Sequence, residues 1–170
     1  TELLSPLQMA NSTFDVSKAT NFAKSYQKKN QQWKPVPFDY IKTKPASMLI
    51  STAEEMAKFM NFHLQISTKN DGSLISNSSF AEMHSQQFTH HPQLPGVAVG
   101  FFEAYQNGLR LLRHGGTTTN YGSFLCLIPE KDIGIFITHN GGDESLSKEM
   151  VHQFIHRFFP STYSKPTWNK

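Results

Sequence analysis

Cysteine and long apolar runs are scarce in this sequence. The 170 residues contain one cysteine, Cys126, so no disulfide can form within the chain. Because Cys126 lies inside an apolar run, we predict a small buried side chain rather than a reactive thiol, which needs an exposed, electropositive setting. The sequence has no run of about 18 apolar residues, the length from which a membrane-spanning helix is predicted.

Concentrated charge is also missing. Charged residues make up 17% of the chain and the net charge is +3, which indicates neither a disordered chain nor a strongly polyanion-binding protein. Lysines and arginines are scattered, with one basic doublet at Lys28-Lys29. Because affinity for phosphate needs clustered cations, we expect no nucleic-acid partner. The chain opens Thr-Glu-Leu-Leu, without an initiator Met or a signal-like segment, which suggests a fragment or a processed chain.

The most informative stretch runs from Arg113 to Asn140. Its second half contains two apolar, β-branched and aromatic runs joined by Pro-Glu-Lys-Asp, which predicts an antiparallel hairpin. Its first half reads His-Gly-Gly-Thr-Thr, residues 114 to 118. Paired glycines let a backbone or a ligand approach closely and leave N–H groups free for an anion, as an oxyanion site requires. From spacing alone, a strand that ends in two flexible glycines beside a surface histidine also explains the pattern.

The other segments predict an α+β fold. Val97 to Tyr105 and Leu109 to His114 flank Asn107-Gly108, the strongest short hairpin signal. With the two strands that follow, we predict about four antiparallel strands with helices packed on them. Helical spacing of apolar residues and capping signals predict helices from about Thr52 to Gln65, Ser76 to His84 and Ser145 to Phe159.

Weaker signals complete this prediction. The first 43 residues show little periodicity, so we predict irregular structure with one short strand near Asn21 to Gln27. So long a loose stretch argues against an independent domain. Asn70-Asp71-Gly72 predicts a turn, and Asp143 and Glu144 suit the dipole at the start of the last helix.

Read together, these segments resemble a known family. The stretch from His114, with its small residues, aromatic, glycine, strand, Pro-Glu-Lys and second strand, resembles the third motif of the class C β-lactamase and penicillin-binding-protein family of serine hydrolases. Leu7 to Phe14 resembles its "LGM..T.F" segment, Ala23 to Tyr26 its "A.GY" strand, and Pro45 to Phe59 its "PAGGL.ST..DMA.F" helix entry. The resemblance covers nearly the whole chain but only the C-terminal half of the family.

The resemblance implies a set of site residues. His114 takes the place usually held by Lys, where it would line the substrate side of the pocket and hold a substrate carboxylate or set proton positions. The backbone N–H of Thr117 would be the second oxyanion donor, and Gly115, Gly116 and Thr118 would contact the substrate. A neutral imidazole holds a carboxylate less firmly than an ammonium does. The His-for-Lys change therefore favours an esterase- or peptidase-like relative over a true β-lactamase.

The implied reaction is acyl transfer to a serine and then to water, on a small-molecule ester, peptide or β-lactam. In the family, the nucleophilic Ser-x-x-Lys and the second motif lie upstream of the region matched here. We therefore expect residues 1–170 to be the C-terminal portion of a single β-lactamase-like domain, inactive without its upstream half and able to self-associate through an exposed sheet edge. A non-catalytic substrate-sensing or interaction module with the same fold is the alternative. No cofactor is implied, and relatives usually work outside the cytoplasm, in the periplasm or secreted.

Three motif matches have simpler explanations. Ser25-x-x-Lys28 and Ser145-x-x-Lys148 fit the nucleophile pattern, but such matches arise by chance in a chain rich in Ser and Lys. Ser25 falls on a predicted strand, and Ser145 is interpreted as a helix N-cap. Tyr105-Gln106-Asn107 spells the second motif, yet its asparagine belongs to the predicted hairpin turn.

The eight histidines raise the possibility of a metal site. His152 and His156 are four residues apart and would share a helix face, as zinc ligands do. The residue after His152 is Gln153 rather than the general-base Glu of a zinc protease, and no third ligand is evident nearby. We therefore predict solvated histidines and no metal.

Overall fold

A computed structural model describes residues 2–38, 40–64, 74–141 and 145–161. In these ranges, helices accompany a five-stranded antiparallel sheet and a separate two-stranded hairpin, which confirms the α+β prediction. The strands are β1 (Ser25–Lys29), β2 (Gln32–Val36), β3 (Val97–Ala98), β4 (Phe101–Gln106), β5 (Leu109–Thr117), β6 (Gly122–Ile128) and β7 (Ile133–His139). The helices are α1 (Ala53–Leu64), α2 (Asn77–His84) and α3 (Ser145–Phe158).

The main sheet follows the chain without crossovers, in the order β3-β4-β5-β6-β7. The turn between β4 and β5 is the predicted Asn107-Gly108, and both residues have positive φ, at 52° and 81°. These angles suit the two-residue turns that match strand twist. The turn fixes the register, with Gln106 opposite Leu109 and Phe102 opposite Arg113.

Alternating side chains give the sheet two apolar faces. On one face, α3 packs Val151 and Ile155 against the buried side chains of Leu111, Phe124 and Cys126. On the other face, Met60 of α1 joins a cluster of buried residues. Those residues are Ala98, Phe101, Leu112, Leu125 and Leu127. The sheet is therefore the middle layer between helices. Cys126 is fully buried, and burial raises its pKa to about 12, as expected of a packing residue.

The N-terminal segment is fastened to the start of α1. Thr52 Oγ1 accepts a hydrogen bond from the Glu55 N–H at 3.2 Å, which is one half of a capping box. The Glu55 carboxylate turns away from the helix end and accepts from the Asn11 N–H at 2.8 Å and from the Ser12 hydroxyl. A buried carboxylate thus organises residues that show no periodicity in the sequence.

Two parts of the strand prediction differ from the structure. Gly100, at φ 78°, turns the chain between β3 and β4, so the Val97 to Tyr105 run forms two strands and the sheet has five. In the N-terminal segment, β1 pairs with β2, where only one strand was predicted. The turn between them is Asn30-Gln31, both at positive φ. Gln is not a turn-forming residue, so the sequence carried no hairpin signal there.

Two predictions fall outside the described residues. They are the turn at Asn70-Asp71-Gly72 and the acidic residues Asp143 and Glu144 before the last helix. None of the helices within the described ranges is long and apolar enough to cross a bilayer.

Candidate active site

The end of β5 is bonded to a neighbour on one side only. Its partner β6 stays paired through Thr117, which lies opposite Gly122. On the other side, pairing with β4 stops at Phe102 opposite Arg113. Residues 114–117 therefore form a strand edge that no other described strand covers.

The hydrogen-bond pattern determines which amides face this edge. The Thr118 N–H donates to the Tyr121 carbonyl at 3.0 Å, so these residues form a bonded pair at the turn. Because bonded and non-bonded pairs alternate in an antiparallel ladder, the backbone groups of Gly116 point toward β6. Those of Gly115 and Thr117 point away from β6, toward the open edge. The register at the Asn107-Gly108 turn leads independently to the same alternation.

The predicted site residues divide between the two faces of β5. His114 and Gly116 lie on the face that packs against α1, whereas Gly115 and Thr117 lie on the α3 face. His114 and Thr117 are exposed, and the His114 ring lies 6.0 Å from the Phe102 ring between centroids. The strand thus presents an imidazole on one face and outward backbone amides at its edge.

Gly116 is a glycine because of its cross-strand neighbour. A Cβ atom at this position would stand 2.6 Å from Ser123 Oγ, closer than real side chains approach. The Ser123 hydroxyl also lies 3.4 Å from the Gly116 carbonyl. The small residue therefore lets β5 and β6 keep their spacing while Ser123 occupies the face beside His114.

Thr118 differs from the other predicted site residues. Its N–H closes the turn, and its hydroxyl oxygen is buried with no hydrogen-bond partner among the described residues. The side-chain oxygen of Asn120 in the same turn is also buried, and it too has no partner in the described ranges. Buried polar groups without partners are uncommon, and here they belong to the turn that closes the candidate site.

Open space flanks the edge of β5. A cavity of about 430 Å³ is lined by Gly115, Arg113, Phe102, Phe88 and Lys148, together with other residues. A second cavity of about 310 Å³ lies between the sheet and the start of α3 and shares Arg113, Phe124 and Lys148 with the first. The sequence did not predict Arg113 and Lys148 as neighbours in one cavity, because the packing of α3 on the sheet brings them together.

The serines of the two Ser-x-x-Lys matches are poorly placed for nucleophilic attack. Ser25 is buried, and its hydroxyl donates to the Val36 carbonyl at 3.1 Å, while Lys28 is exposed farther along the strand. Ser145 is the first residue of α3, and both it and Lys148 are exposed. A lysine that takes a serine proton needs burial to lose its own proton. Asn107 of the Tyr-Gln-Asn match is in the hairpin turn, as predicted.

Two polar pairs, each with one buried member, carry no sequence signal. His63 Nδ1 and His84 Nε2 lie 2.9 Å apart inside a group of phenylalanine rings. Burial, and then the neighbouring His84, lowers the pKa of His63 to about 3. Burial, and then Arg110, lowers the pKa of His84. The long sequence separation of the partners hides such a pair from motif analysis.

The second pair joins Glu103 and Arg110 across β4 and β5. The Arg110 Nε–H donates to Glu103 Oε1 at 2.8 Å, and the Gly96 N–H donates to Oε2 at 2.9 Å. Burial alone would raise the pKa of Glu103, but hydrogen bonds from Gln86 and Arg110 outweigh it and hold the pKa below its ordinary value. This ion pair anchors the loop before β3 to the sheet.

Metal ligation finds no support in the described part of the chain. There, no three His, Cys, Asp or Glu side chains come together in a way that could hold a metal ion. His152 and His156 are both exposed on α3.

Comparison with known proteins assigns the chain to a family. The model of the beta-lactamase family matches residues 1–156. The chain belongs to the beta-lactamase family. No curated protein matches it significantly in sequence. The family match supports the resemblance that starts at His114 and extends to the N-terminal segments.

Several solved structures share the fold. An octameric penicillin-binding protein homologue from Pyrococcus abyssi aligns with a TM-score of 0.70 and 25% identity, over 83% of this chain and 32% of its own. A D-stereospecific amidohydrolase from Streptomyces sp. aligns with a TM-score of 0.67 and 18% identity, over 92% of this chain and 46% of its own. A class C beta-lactamase aligns with a TM-score of 0.69 and 14% identity, over 96% of this chain and 50% of its own. The chain thus spans a third to a half of the length of these structures.

Proposed function

We propose that this chain forms the substrate-binding edge of a beta-lactamase-family serine hydrolase and is inactive alone. In this proposal, residues 1–170 are the C-terminal portion of one β-lactamase-like domain, whose upstream half brings the nucleophile. The observation that carries the proposal is the free edge of β5, where the Gly115 and Thr117 amides point outward and Gly115 lines a cavity.

In the proposed reaction, the chemical role of this edge is to stabilise an oxyanion. When a serine attacks an ester, amide or β-lactam carbonyl, the carbonyl oxygen becomes negatively charged, and fixed N–H donors stabilise that charge. The Thr117 N–H is such a donor, because the ladder with β6 holds it in place without using its hydrogen. The Gly115 N–H faces the same edge, where it would bond an extended substrate much as a neighbouring strand does.

His114 would contact the substrate from the α1 face. The side chain is exposed at the start of the free edge, so a substrate lying along β5 would pass beside it. A histidine there would bind a substrate carboxylate more weakly than the family's usual lysine would. We therefore favour an ester or peptide substrate over a β-lactam, and we place the enzyme outside the cytoplasm, where relatives usually work.

Neither Ser-x-x-Lys match offers a suitable nucleophile, which supports the proposed inactivity. Ser25 is buried and bonded, and Ser145 and Lys148 are exposed to solvent. The share of the relatives' length that this chain spans, 32% to 50%, supports a missing partner half. Until that half binds, β3 and β7 end the main sheet among the described residues, and exposed edges favour self-association.

Intact-mass analysis tests this proposal. We would incubate the chain with a fluorophosphonate and, separately, with a penicillin, alongside a complete class C beta-lactamase as the positive control. The expected result is an adduct on the control enzyme and none on this chain. A stoichiometric adduct on Ser25 or Ser145 would contradict the proposal, because it would identify a complete nucleophile within the 170 residues.

A further inference from the structure

Two arginines on β5 differ in how their charge is balanced. Arg110 donates from Nε to the Glu103 carboxylate at 2.8 Å and from an Nη atom to the His84 carbonyl at 2.6 Å. Arg113 is half-buried as well, but among the described residues no carboxylate lies within ion-pair distance of its guanidinium. A charge that is partly removed from water costs free energy unless an anion balances it. Arg113 is therefore a candidate for binding an anionic ligand.

A second cation lies at the same place. Arg113 and Lys148 both line the 430 Å³ cavity and the 310 Å³ cavity. Lys148 Nζ lies 6.0 Å from the centre of the Phe124 ring. Phe124 in turn lies opposite Gly115, which is two residues from Arg113 on the same face of β5. Positive charge thus reaches this part of the sheet both from a strand and from a helix.

The acidic groups around the two cavities distinguish them. Among the described residues, Glu103 is the one carboxylate that lines the larger cavity, and Arg110 balances its charge. Glu149 lines the smaller cavity, where its carboxylate is exposed and accepts a hydrogen bond from Gln153 at 2.6 Å. A free carboxylate there would compete with a ligand for Arg113. The larger cavity is therefore the better place for an anion.

Aromatic side chains form much of the wall of the larger cavity. Phe88, Phe102 and Phe124 all line it. Phe88 and Phe102 are 57% and 55% exposed, so their rings are accessible to a ligand. Phenylalanine rings pack well against another ring, and a volume of about 430 Å³ is in the range of small-molecule sites. The cavity thus combines apolar walls with a guanidinium that lacks a carboxylate.

We propose that the larger cavity binds an aromatic carboxylate group of the substrate, with Arg113 on the carboxylate and the phenylalanine rings around its apolar part. The planar guanidinium matches a carboxylate through two parallel hydrogen bonds. That this ligand is part of a substrate rests on the proposed function. At 3.3 Å per strand residue, the Cα atoms of Arg113 and Thr117 are about 13 Å apart. The carboxylate would therefore lie several bonds from the reacting carbonyl, on the face of β5 opposite to His114.

A nuclear magnetic resonance titration of the 170-residue chain tests the proposal with three probes. Phenylacetate has both the ring and the charge, phenylacetamide has the ring without the charge, and acetate has the charge without the ring. We expect phenylacetate to shift the amide resonances of Gly115 and Phe124 with a millimolar Kd, as suits a ligand of this size. Phenylacetamide and acetate should each bind at least about tenfold more weakly.

Three variants test the role of Arg113. Arg113→Gln should weaken phenylacetate binding roughly tenfold, because it removes a charge-assisted hydrogen-bond donor. Arg113→Lys, which keeps the charge but loses the planar fork, should show a smaller loss. The matched control Arg157→Gln removes the same charge from an exposed position on α3 and should bind like the wild-type chain. The dispersion of the amide resonances shows whether each variant is folded.

Two results would overturn the proposal whether or not the Arg113 variants fold. One is equal affinity of the wild-type chain for phenylacetate and phenylacetamide, and the other is shifts confined to residues outside the cavity. With folded variants, equal affinity of Arg113→Gln and Arg157→Gln would also overturn it.

The same titration separates this site from the proposed function. Phenylacetate has no ester or peptide bond to present to the oxyanion donors, so its binding tests the cavity alone. Phenylacetate binding without any response of Thr117 to an ester substrate would support the Arg113 site and contradict the proposed function. A response of Thr117 to the ester without phenylacetate binding would contradict the Arg113 site alone.

Discussion

Gly116 and Ser123 face each other across β5 and β6 so closely that a Cβ atom on Gly116 would stand 2.6 Å from Ser123 Oγ. This contact joins the candidate site to its supporting strand. It also gives a physical reason, independent of substrate, for the second glycine after His114.

Gly116→Ala should destabilise the protein through this contact. Ser123 must rotate or the strands must separate, so we expect the free energy of unfolding to fall by about 1–2 kcal/mol. In a Ser123→Ala background the same substitution should be neutral or stabilising by about 0.5–1 kcal/mol, since Ala is preferred to Gly within a strand. Urea unfolding of the four proteins in this cycle measures both values. An equal loss in both backgrounds would mean that Ser123 is not the cause.

Glu103→Gln should be strongly destabilising, because it leaves Arg110 without its carboxylate partner. We expect a loss of about 2–4 kcal/mol at pH 7 by chemical denaturation. The exposed pair Lys18–Asp15 provides the control, and Asp15→Asn should cost far less.

The pH dependence gives a second check on Glu103. Its pKa is lower in the folded chain than the ordinary value of 4.5, so the unfolded chain takes up its proton first as pH falls. The wild-type protein should therefore lose this stabilisation below about pH 4.5, and the Glu103→Gln variant should show a smaller loss there. If the stability of the wild-type protein and that of the Glu103→Gln variant fell in parallel with pH, the lowered pKa of Glu103 would be contradicted.

The His63–His84 pair should make the fold sensitive to mild acid. Because the pKa of His63 falls from 6.5 to about 3 in the folded chain, the unfolded chain alone binds this proton between those values. Stability should therefore fall as pH drops below 6.5, by up to about 1.4 kcal/mol per pH unit for this histidine. His63→Phe should reduce that slope, whereas His152→Gln, at an exposed position, should not. An unchanged slope in His63→Phe would contradict the buried neutral pair.

Amide hydrogen exchange should alternate along the end of β5. The Gly115 and Thr117 amides face the open edge, so we expect them to exchange roughly 100-fold faster, relative to their intrinsic rates, than those of His114 and Gly116. Nuclear magnetic resonance measures all four in one sample. Similar protection at the four positions would show that something covers the edge in solution.

Local patterns predicted the parts of the fold that depend on neighbours in sequence. Asn107-Gly108 marks its hairpin because both residues tolerate positive φ, and α3 follows from its apolar spacing. The hairpin at Asn30-Gln31 lacks such a residue pair, and its strands are held partly by Asn140, whose carbonyl accepts from the Tyr26 N–H at 2.9 Å. A contact over more than 100 residues leaves no periodic trace.

In the candidate site too, local sequence predicts some features, whereas others depend on contacts between distant residues. His114, Gly115, Gly116, Thr117 and Thr118 were chosen from the family motif, and their roles in binding and catalysis stay predictions. The direction of each amide, however, depends on register with β4 and β6, which the sequence does not contain. The sequence did not reveal the part-buried pairs His63–His84 and Glu103–Arg110, because each arises from elements that meet only in the folded chain.

The most direct test of the proposed substrate edge is a titration of the chain with a D-alanyl dipeptide ester, followed through its amide resonances. We predict shifts at Gly115 and Thr117, with the inward amide of Gly116 as the internal control that stays nearly constant, and weaker shifts in His114→Ala. Unchanged resonances of Gly115 and Thr117 at millimolar ligand, or shifts confined to other parts of the chain, would contradict a substrate-binding role for the end of β5.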